Sequence, residues 1–600
     1  MHGLLRLAVT AAALMLAGEA AASNGLADSA CPRGDASPVE WEKIWRVTSD
    51  FDDRMVESVP GIPQGTSFSH ADARAMVDVA LQNLARQSRA FVTMRVLEGD
   101  HTCTFGSGGC VRALKDLEAP VECGLVGAAG YVEPGGRDVT ICEENVGGGN
   151  LPMVLEHEMT HTYHLWHAND DNITKPLCND DPNCATSDGC DGELMCRGAC
   201  DGGWSYLTAG DSAGLRTEYN GTTGYFDRPW STGGAYLPDM TGFGHDSPGI
   251  SAHYASFPPR IDCSDVASNP TNACAAVTLY QTSVARLQIS TLNGWTATSG
   301  WLYAGDPYDT AATSRFPPDI ALVSSGANAY VVRTHSTSIT NNIQVRRTVL
   351  STGATTTVTL GYPTRLPPRV ANLPGDAVLV LGVAWDQPLR WQLHKVTWNK
   401  TLGALDVVAL NMGSLDNDFG ANDDVDNNLI ISDFDFDCYN GDCVLAAVLH
   451  DVDRTPPDAA GYNVVQRRRF SVSGTTVTVP DANWIREASG VRANAVIGVA
   501  RSSSRLYVSA GRAATAPGDA NNTRVAEFLT DTSTTPSATA PLRSDGAGCD
   551  NHVTPLGTIP AATQHGGFSI SVCASCNGGA GTLESVHLHP YDPGNSDVCF

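Results

Sequence analysis

From about Tyr225 to its end the chain is a run of short Val-, Thr- and Leu-rich segments set between Gly, Ser, Asn and Pro turns, with no helical periodicity. The segments Ala275–Tyr280, Ala329–Arg333, Ala377–Trp385, Cys443–His450, Arg505–Ala510 and Gly567–Cys573 begin 54, 48, 66, 62 and 62 residues apart. Most are followed by a second strand-like run, at Ile343–Val349, Trp391–Trp398, Tyr462–Val472, Arg524–Thr530 and Leu583–His589. A recurring unit of this size, built from short antiparallel strands, implies an all-β region, with the blades of a β-propeller favoured over a pair of β-sandwiches. This region is placed at 271–600, after a transition at 222–270.

A single core stops growing at roughly 250–300 residues, so the rest of the 600-residue chain must fold separately. There the pattern mixes helix and strand. Ile44–Val47 alternates like a strand. Ser69, with Asp72 three residues on, offers a capping box for a helix whose stripe is Met76, Val77, Ala80, Leu81 and Leu84. Phe91–Leu97 reads as a strand, and Tyr131–Val132 and Val139–Cys142 as two strands joined by a turn. A second helix is expected from about Leu151 to Leu165, capped by Asn150. The chain is therefore multidomain, α+β first and all-β after.

Residues 1–22 carry Arg6, an apolar run from Leu7 to Ala17 and the triplet Ala20-Ala21-Ala22, the pattern of a secretory signal peptide; 23–40 is a short N-terminal segment. No later stretch is long and apolar enough to span a bilayer, so no transmembrane segment is expected. The expected location is extracellular. Five lysines beside 33 arginines, with abundant Ala and Gly, suggest a GC-rich bacterial source. The net charge of −27 argues against nucleic acid as a partner.

The chemistry is concentrated in Leu155–Asp170, where His157-Glu158-x-x-His161 falls on the second expected helix. Residues four apart share a helix face, so both imidazoles can reach one zinc at about 2.0–2.1 Å. Glu158, beside the first ligand, is placed to take a proton from metal-bound water. His164 shares that face but lies about 10.5 Å along the axis from His157, too far for one tetrahedral ion. The third ligand must come from chain that has left the helix. His167 meets that need if His164 makes the turn.

His157-Glu158-x-x-His161-x-x-His164-x-x-His167 resembles the extended zinc signature of the metzincin metallopeptidases, HExxHxxGxxH, with His164 where the family has Gly. The resemblance extends to a methionine turn at Met195, in Glu193-Leu194-Met195, and to a closing helix like that of matrixins at Leu207–Gly221. It covers about 41–221 and implies a zinc endopeptidase. His157, His161 and His167 would hold the metal, Glu158 would act as general base, and a protein or peptide substrate would lie along a sheet edge near Gly127–Val132. Other readings are a secreted adhesion protein with an inactive metalloprotease-like domain, or a zinc site completed by Glu193 or Glu218.

The 18 cysteines, in an exported chain, are expected to pair as disulfides. Local staples are expected at Cys263–Cys274, Cys438–Cys443 and Cys573–Cys576, with Cys549 and Cys599 closing the chain end and Cys31 bonded. The insert 178–200 holds five cysteines, so one must pair outside it, with Cys123 or Cys142 as candidates. Asp416, Asp418, Asp423, Asp424 and Asp426 offer hard oxygen ligands for calcium, or form a solvated acidic loop. The β-rich region would bind substrate or a cell-surface or matrix ligand.

Overall fold

The computed structural model describes residues between 42 and 162 and between 260 and 587, leaving out several stretches between elements; 1–41, 163–259, 413–428 and 588–600 lie outside the described residues. Among the described residues the first unit has a five-stranded sheet, two α-helices and a short π-helix at Pro120–Leu125. Its strands are β1 (Glu42–Val47), β2 (Thr93–Val96), β3 (Cys110–Leu114), β4 (Gly130–Tyr131) and β5 (Val139–Cys142), in spatial order β2-β1-β3-β5-β4. All pairs are parallel except β4 with β5, so β4 is an antiparallel edge.

Helix α1 (His70–Gln87) starts where the capping box predicts: Ser69 N–H donates to Asp72 Oδ2 at 2.7 Å and Asp72 N–H to Ser69 Oγ at 3.2 Å. Its stripe of Met76, Val77, Ala80, Leu81 and Leu84 is buried against Trp45, Val47 and Ile141 of the sheet and Leu155 and Met159 of α2 (Leu151–His161). Strand β3 was not foreseen, since Cys-Val-Arg-Ala-Leu behind a Gly-rich stretch is a weak local signal.

The second unit consists of six antiparallel sheets, I to VI, whose first strands, counted outward from the middle of the ring, are Arg260–Cys263, Asp319–Val323, Arg369–Leu373, Leu429–Tyr439, Gly498–Arg501 and Phe568–Cys573, the last preceded along the chain by the outer strand Val553–Pro555. Each first strand lies against that of the next sheet, and that of sheet VI lies against that of sheet I. The six form a closed ring. The periodic segments found in the sequence are the second strands of sheets I to V, but in sheet VI the segment is the first strand. Arg260–Cys263 falls inside the stretch assigned to the transition at 222–270.

The second strands of sheets II to IV have apolar middles because neighbouring sheets cover both faces. In Ala377–Val383, Val378 and Val380 pack toward sheet II while Leu379, Leu381 and Val383 pack toward sheet IV. Between Leu429–Tyr439 and the next strand, Asp442–Asp451, the turn is Asn440-Gly441, both with positive φ (54° and 87°), as a two-residue hairpin demands. The Cys438–Cys443 disulfide closes this hairpin as expected, and Cys263 is bonded and faces Cys274 in register.

First strands are built differently. Their axial-side N–H groups are met by side chains of the neighbouring sheet: Ile261 and Cys263 by Ser569 and Ser571 Oγ, Leu322 by Asp262, and Val370 by Asp319. Ile497, Val499 and Arg501 are met by Asp433, Asp435 and Asp437 at 2.8–2.9 Å. Arg260 spans the middle, donating to Asp319 at 3.0 Å, to Asp435 at 2.5 Å and to the carbonyl of Ile497 at 3.4 Å. Arg369 donates to Asp433 and to the carbonyl of Phe434.

The two units meet through α1. Asp78 pairs with Arg365 at 2.9 Å, both buried, and Asp72 Oδ1 accepts from Trp385 Nε1 at 2.8 Å. Phe316 and Trp385 belong to the same apolar cluster as α1. Helix α1 packs on β1 and β2 while α2 packs on β4 and β5, and the polar contacts to the ring described here come from α1.

Removing Arg260 would leave Asp319 and Asp435 buried without their cation, a loss of about 3–5 kcal/mol. Arg260→Ala is expected to lower the urea midpoint of the β-rich unit, followed by tryptophan fluorescence. An unchanged midpoint would show that the ring does not depend on this residue.

Candidate active site

Helix α2 positions the motif. Leu151, Leu155 and Met159 anchor one side in the core, which leaves His157 and His161 together on the adjoining face. Their rings stand edge to face with centroids 4.8 Å apart. In the last described turn Thr160 Oγ1 donates to the Glu156 carbonyl and Thr162 Oγ1 to that of Met159.

Glu158 is 6% exposed and makes no hydrogen bond or ion pair with the described residues. Burial pushes its carboxyl up to about 8. Above it passes β4. A Cβ on Gly130 would come within 2.8 Å of Glu158 Cγ, 3.0 Å of Val154 Cγ1 and 3.1 Å of the Thr140 carbonyl, so only glycine fits there. The sheet edge and the helix thus close on each other at the carboxylate.

The pairing of β4 decides what this edge offers. Cys142 N–H donates to the Ala129 carbonyl at 2.9 Å, so the antiparallel alternation turns the N–H and C=O of the next residue, Gly130, away from β5. Gly130 lies within the stretch 127–132 predicted as the edge strand. The stretch before it is braced by Cys123–Cys142 and by Asn145, whose Nδ2 donates to the carbonyls of Cys123 (2.7 Å) and Ala128 (3.0 Å). Cys123 and Cys142 are therefore partners of each other, and neither is the outside partner of the cysteine cluster at 178–200. A further disulfide, Cys103–Cys110, was not foreseen.

His157 and His161 stand together on α2, and Glu158 is the residue next to the first of them, buried under Gly130. His164, His167, Met195 and the cysteine cluster lie outside the described residues, as do Asp416, Asp418, Asp423, Asp424 and Asp426. Among the described residues no group of three metal-ligating side chains occurs. The donors present suit zinc: two imidazoles one helical turn apart beside a buried carboxylate with no partner among the described residues.

Sequence reasoning missed Glu143, which follows β5 and precedes α2. Its side chain is fully buried, neither oxygen has a hydrogen-bond partner among the described residues, and Lys115 Nζ stands 4.0 Å away. Burial raises its carboxyl to about 7, with Lys115 and Arg54 pulling the other way.

No family model matches this chain, and no curated protein does. Among solved structures it is similar to Kuenenia stuttgartiensis hydrazine synthase, with 11% identity over 46% of this chain and a TM-score of 0.26. It is also similar to a Hadza microbial sialidase, with 9% identity over 55% of this chain and a TM-score of 0.30. The match spans 66% of each of those chains, just under two thirds. Likeness at this level carries no conclusion about activity. Among the described residues no helix is long and apolar enough to cross a membrane.

Two substitutions probe the site. Gly130→Val is expected to destabilise the first unit by about 1–3 kcal/mol through overpacking against Glu158 and Val154, measured by chemical denaturation. Glu143 carries a raised pKa in the folded state, so its contribution is intact in acid and is lost as pH rises through about 7. Glu143→Gln should therefore melt a few degrees above wild type at pH 8.5, an advantage that disappears by pH 5. Parallel melting curves at both pH values would contradict that assignment.

Proposed function

We propose that this protein is a secreted zinc endopeptidase of the metzincin kind whose six sheets are the blades of a β-propeller. The observation that carries the reading is the placement of Glu158, buried and without a partner among the described residues, between His157 and His161 on one side and the outward-facing backbone of Gly130 on the other. A structural role for so costly a group would have given it a hydrogen-bond partner.

His157, His161 and His167 would hold the zinc, which supplies a Lewis acid for the scissile carbonyl and acidifies bound water. The chain's own residues do the rest. The N–H and C=O of Gly130 pair with an extended peptide laid along the edge of β4. The Glu158 carboxylate accepts a proton from water and then hands it to the leaving amine nitrogen. The signal-like N-terminus and the disulfides support export to an oxidising compartment. The ring, fixed to α1, would present substrate or hold the enzyme on a surface.

The mature protein is expected to hold one zinc and to cleave casein or gelatin. Glu158→Gln should keep the metal and lose about 10²–10⁴-fold in rate. A wild-type protein with full zinc that cleaves neither substrate would sink the reading, and zinc retained in His167→Ala but lost in His164→Ala would overturn the ligand choice.

A further inference from the structure

The third strand of sheet III, Trp391–Asn399, turns His394 toward sheet II, on the face where Val380 and Val396 pack with Val345, Val358 and Leu360 of that sheet. His394 is 2% exposed, and neither ring nitrogen has a hydrogen-bond partner among the described residues. Its register neighbours within the sheet are Val380 and Ala409, whose side chains offer it nothing polar. Across the interface stands Tyr362, on the outer strand of sheet II (Thr355–Pro363), with ring centroids 4.8 Å apart and planes tilted by 39°. Tyr362 is itself exposed, so solvent lies just beyond it.

Few charged groups share this interface. Ala377–Val383 carries none. Arg347, on Asn342–Val349, faces sheet III, but it is paired with Asp376 at 2.6 Å and lies over Trp398, four residues along the strand from His394; Tyr330 bonds to the same Asp376. Lys395 and Asp406 alternate to the opposite face of sheet III, where Lys395 Nζ donates to the Gly474 carbonyl and Asp406 accepts from Asn399. Burial therefore acts on the His394 imidazole without a carboxylate to oppose it, and lowers it from the ordinary 6.5 to about 4.

The same interface carries the joint to the first unit. Tyr362 comes three residues before Arg365, and Gly382 three before Trp385, the two side chains that hold α1. Thr364 ties these two runs together: it bridges to Ala384, and its Oγ1 lies 2.9 Å from the Leu366 carbonyl and 3.1 Å from that of Val383. The packing there has no slack, since a Cβ at Gly382 would meet Ile343 Cδ1 at 2.9 Å and Thr364 Oγ1 at 3.1 Å. An imidazolium has two N–H donors and a charge to be met, and the closed interface offers neither nitrogen an acceptor.

We infer that His394 makes the contact between sheets II and III acid-sensitive, so that its protonation parts the two sheets beside Tyr362 and loosens the ring from helix α1. An exposed imidazole takes its proton near 6.5 and the buried one only near 4, so the closed form is at full strength above about 6.5 and loses ground as pH falls toward 4.

The test is amide exchange of the full-length protein, read by mass spectrometry as protection factors at about pH 7 and about pH 5. Protection of Tyr362–Leu366, Trp391–Asn399 and α1 is expected to fall roughly tenfold or more at the lower pH, while Leu506–Gly511 of sheet V holds. His394→Leu, apolar like its neighbours Val380 and Val396, should abolish the fall, and His394→Met serves the same purpose should that variant fold poorly.

Protection that does not change in wild type, or a fall that persists in both variants, overturns the inference. So does a fall shared equally by sheet V, which would be general softening in acid, and so does one that leaves α1 untouched, which would sever the interface from the joint.

Discussion

A first strand at the centre of a closed ring of sheets has a hydrogen-bonding partner on only one side, and its other N–H groups point at the neighbouring sheet, where no water can reach them. Everything in the β-rich unit depends on how those groups are satisfied. Leaving each unmet would cost about 1–3 kcal/mol, and the chain meets them with short acidic and hydroxyl side chains: Asp262, Asp319, Asp433, Asp435, Asp437, Ser569 and Ser571. Three buried carboxylates, Asp319, Asp433 and Asp435, then require cations, and Arg260 and Arg369 supply them. Burial still raises the Asp435 carboxyl above its usual range against the pull of both arginines. The polar centre sets the register between sheets, and the apolar second strands fill the space around it.

The ring in turn fixes the smaller unit. Asp78 and Arg365 are buried together, and Trp385 completes the apolar cluster under α1. Such a pair contributes little net stability but imposes one geometry, because any other arrangement strands a buried charge. Among the described residues the polar contacts of that joint come from α1, while Leu151, Leu155 and Met159 of the helix bearing the histidines share its apolar cluster. The placement of that second helix comes from the sheet, through Ile141 and the disulfide-braced approach to β4.

Local patterns were most legible where they are repetitive or covalent. The stripe on α1, its capping box, the second strands at regular spacing and the Cys438–Cys443 hairpin all derive from nearest-neighbour chemistry. The first strands escaped notice for the opposite reason. Arg260 falls inside the stretch assigned to the transition, and Asp433-Phe-Asp-Phe-Asp437 lacks the apolar run that marks the second strands; each is a strand whose adjoining sheet provides N–H groups or carboxylates to pair with. Part of the chain's acidity is consumed inside the ring, at Asp319, Asp433 and Asp435.

By itself, the sequence determined that the later part of the chain is all-β and repetitive, and that His157 and His161 share one helix face with Glu158 next to the first of them, because spacing alone fixes which residues lie on a common side of an element. Tertiary structure alone decided that Cys123 pairs with Cys142, that Gly130 rests on Glu158, that Glu143 is buried with no hydrogen-bond partner among the described residues, and that six first strands close through Asp and Arg. Each of these depends on a neighbour distant along the chain. The energy of a buried carboxylate or a free N–H is set by what stands across from it, and no local pattern specifies that.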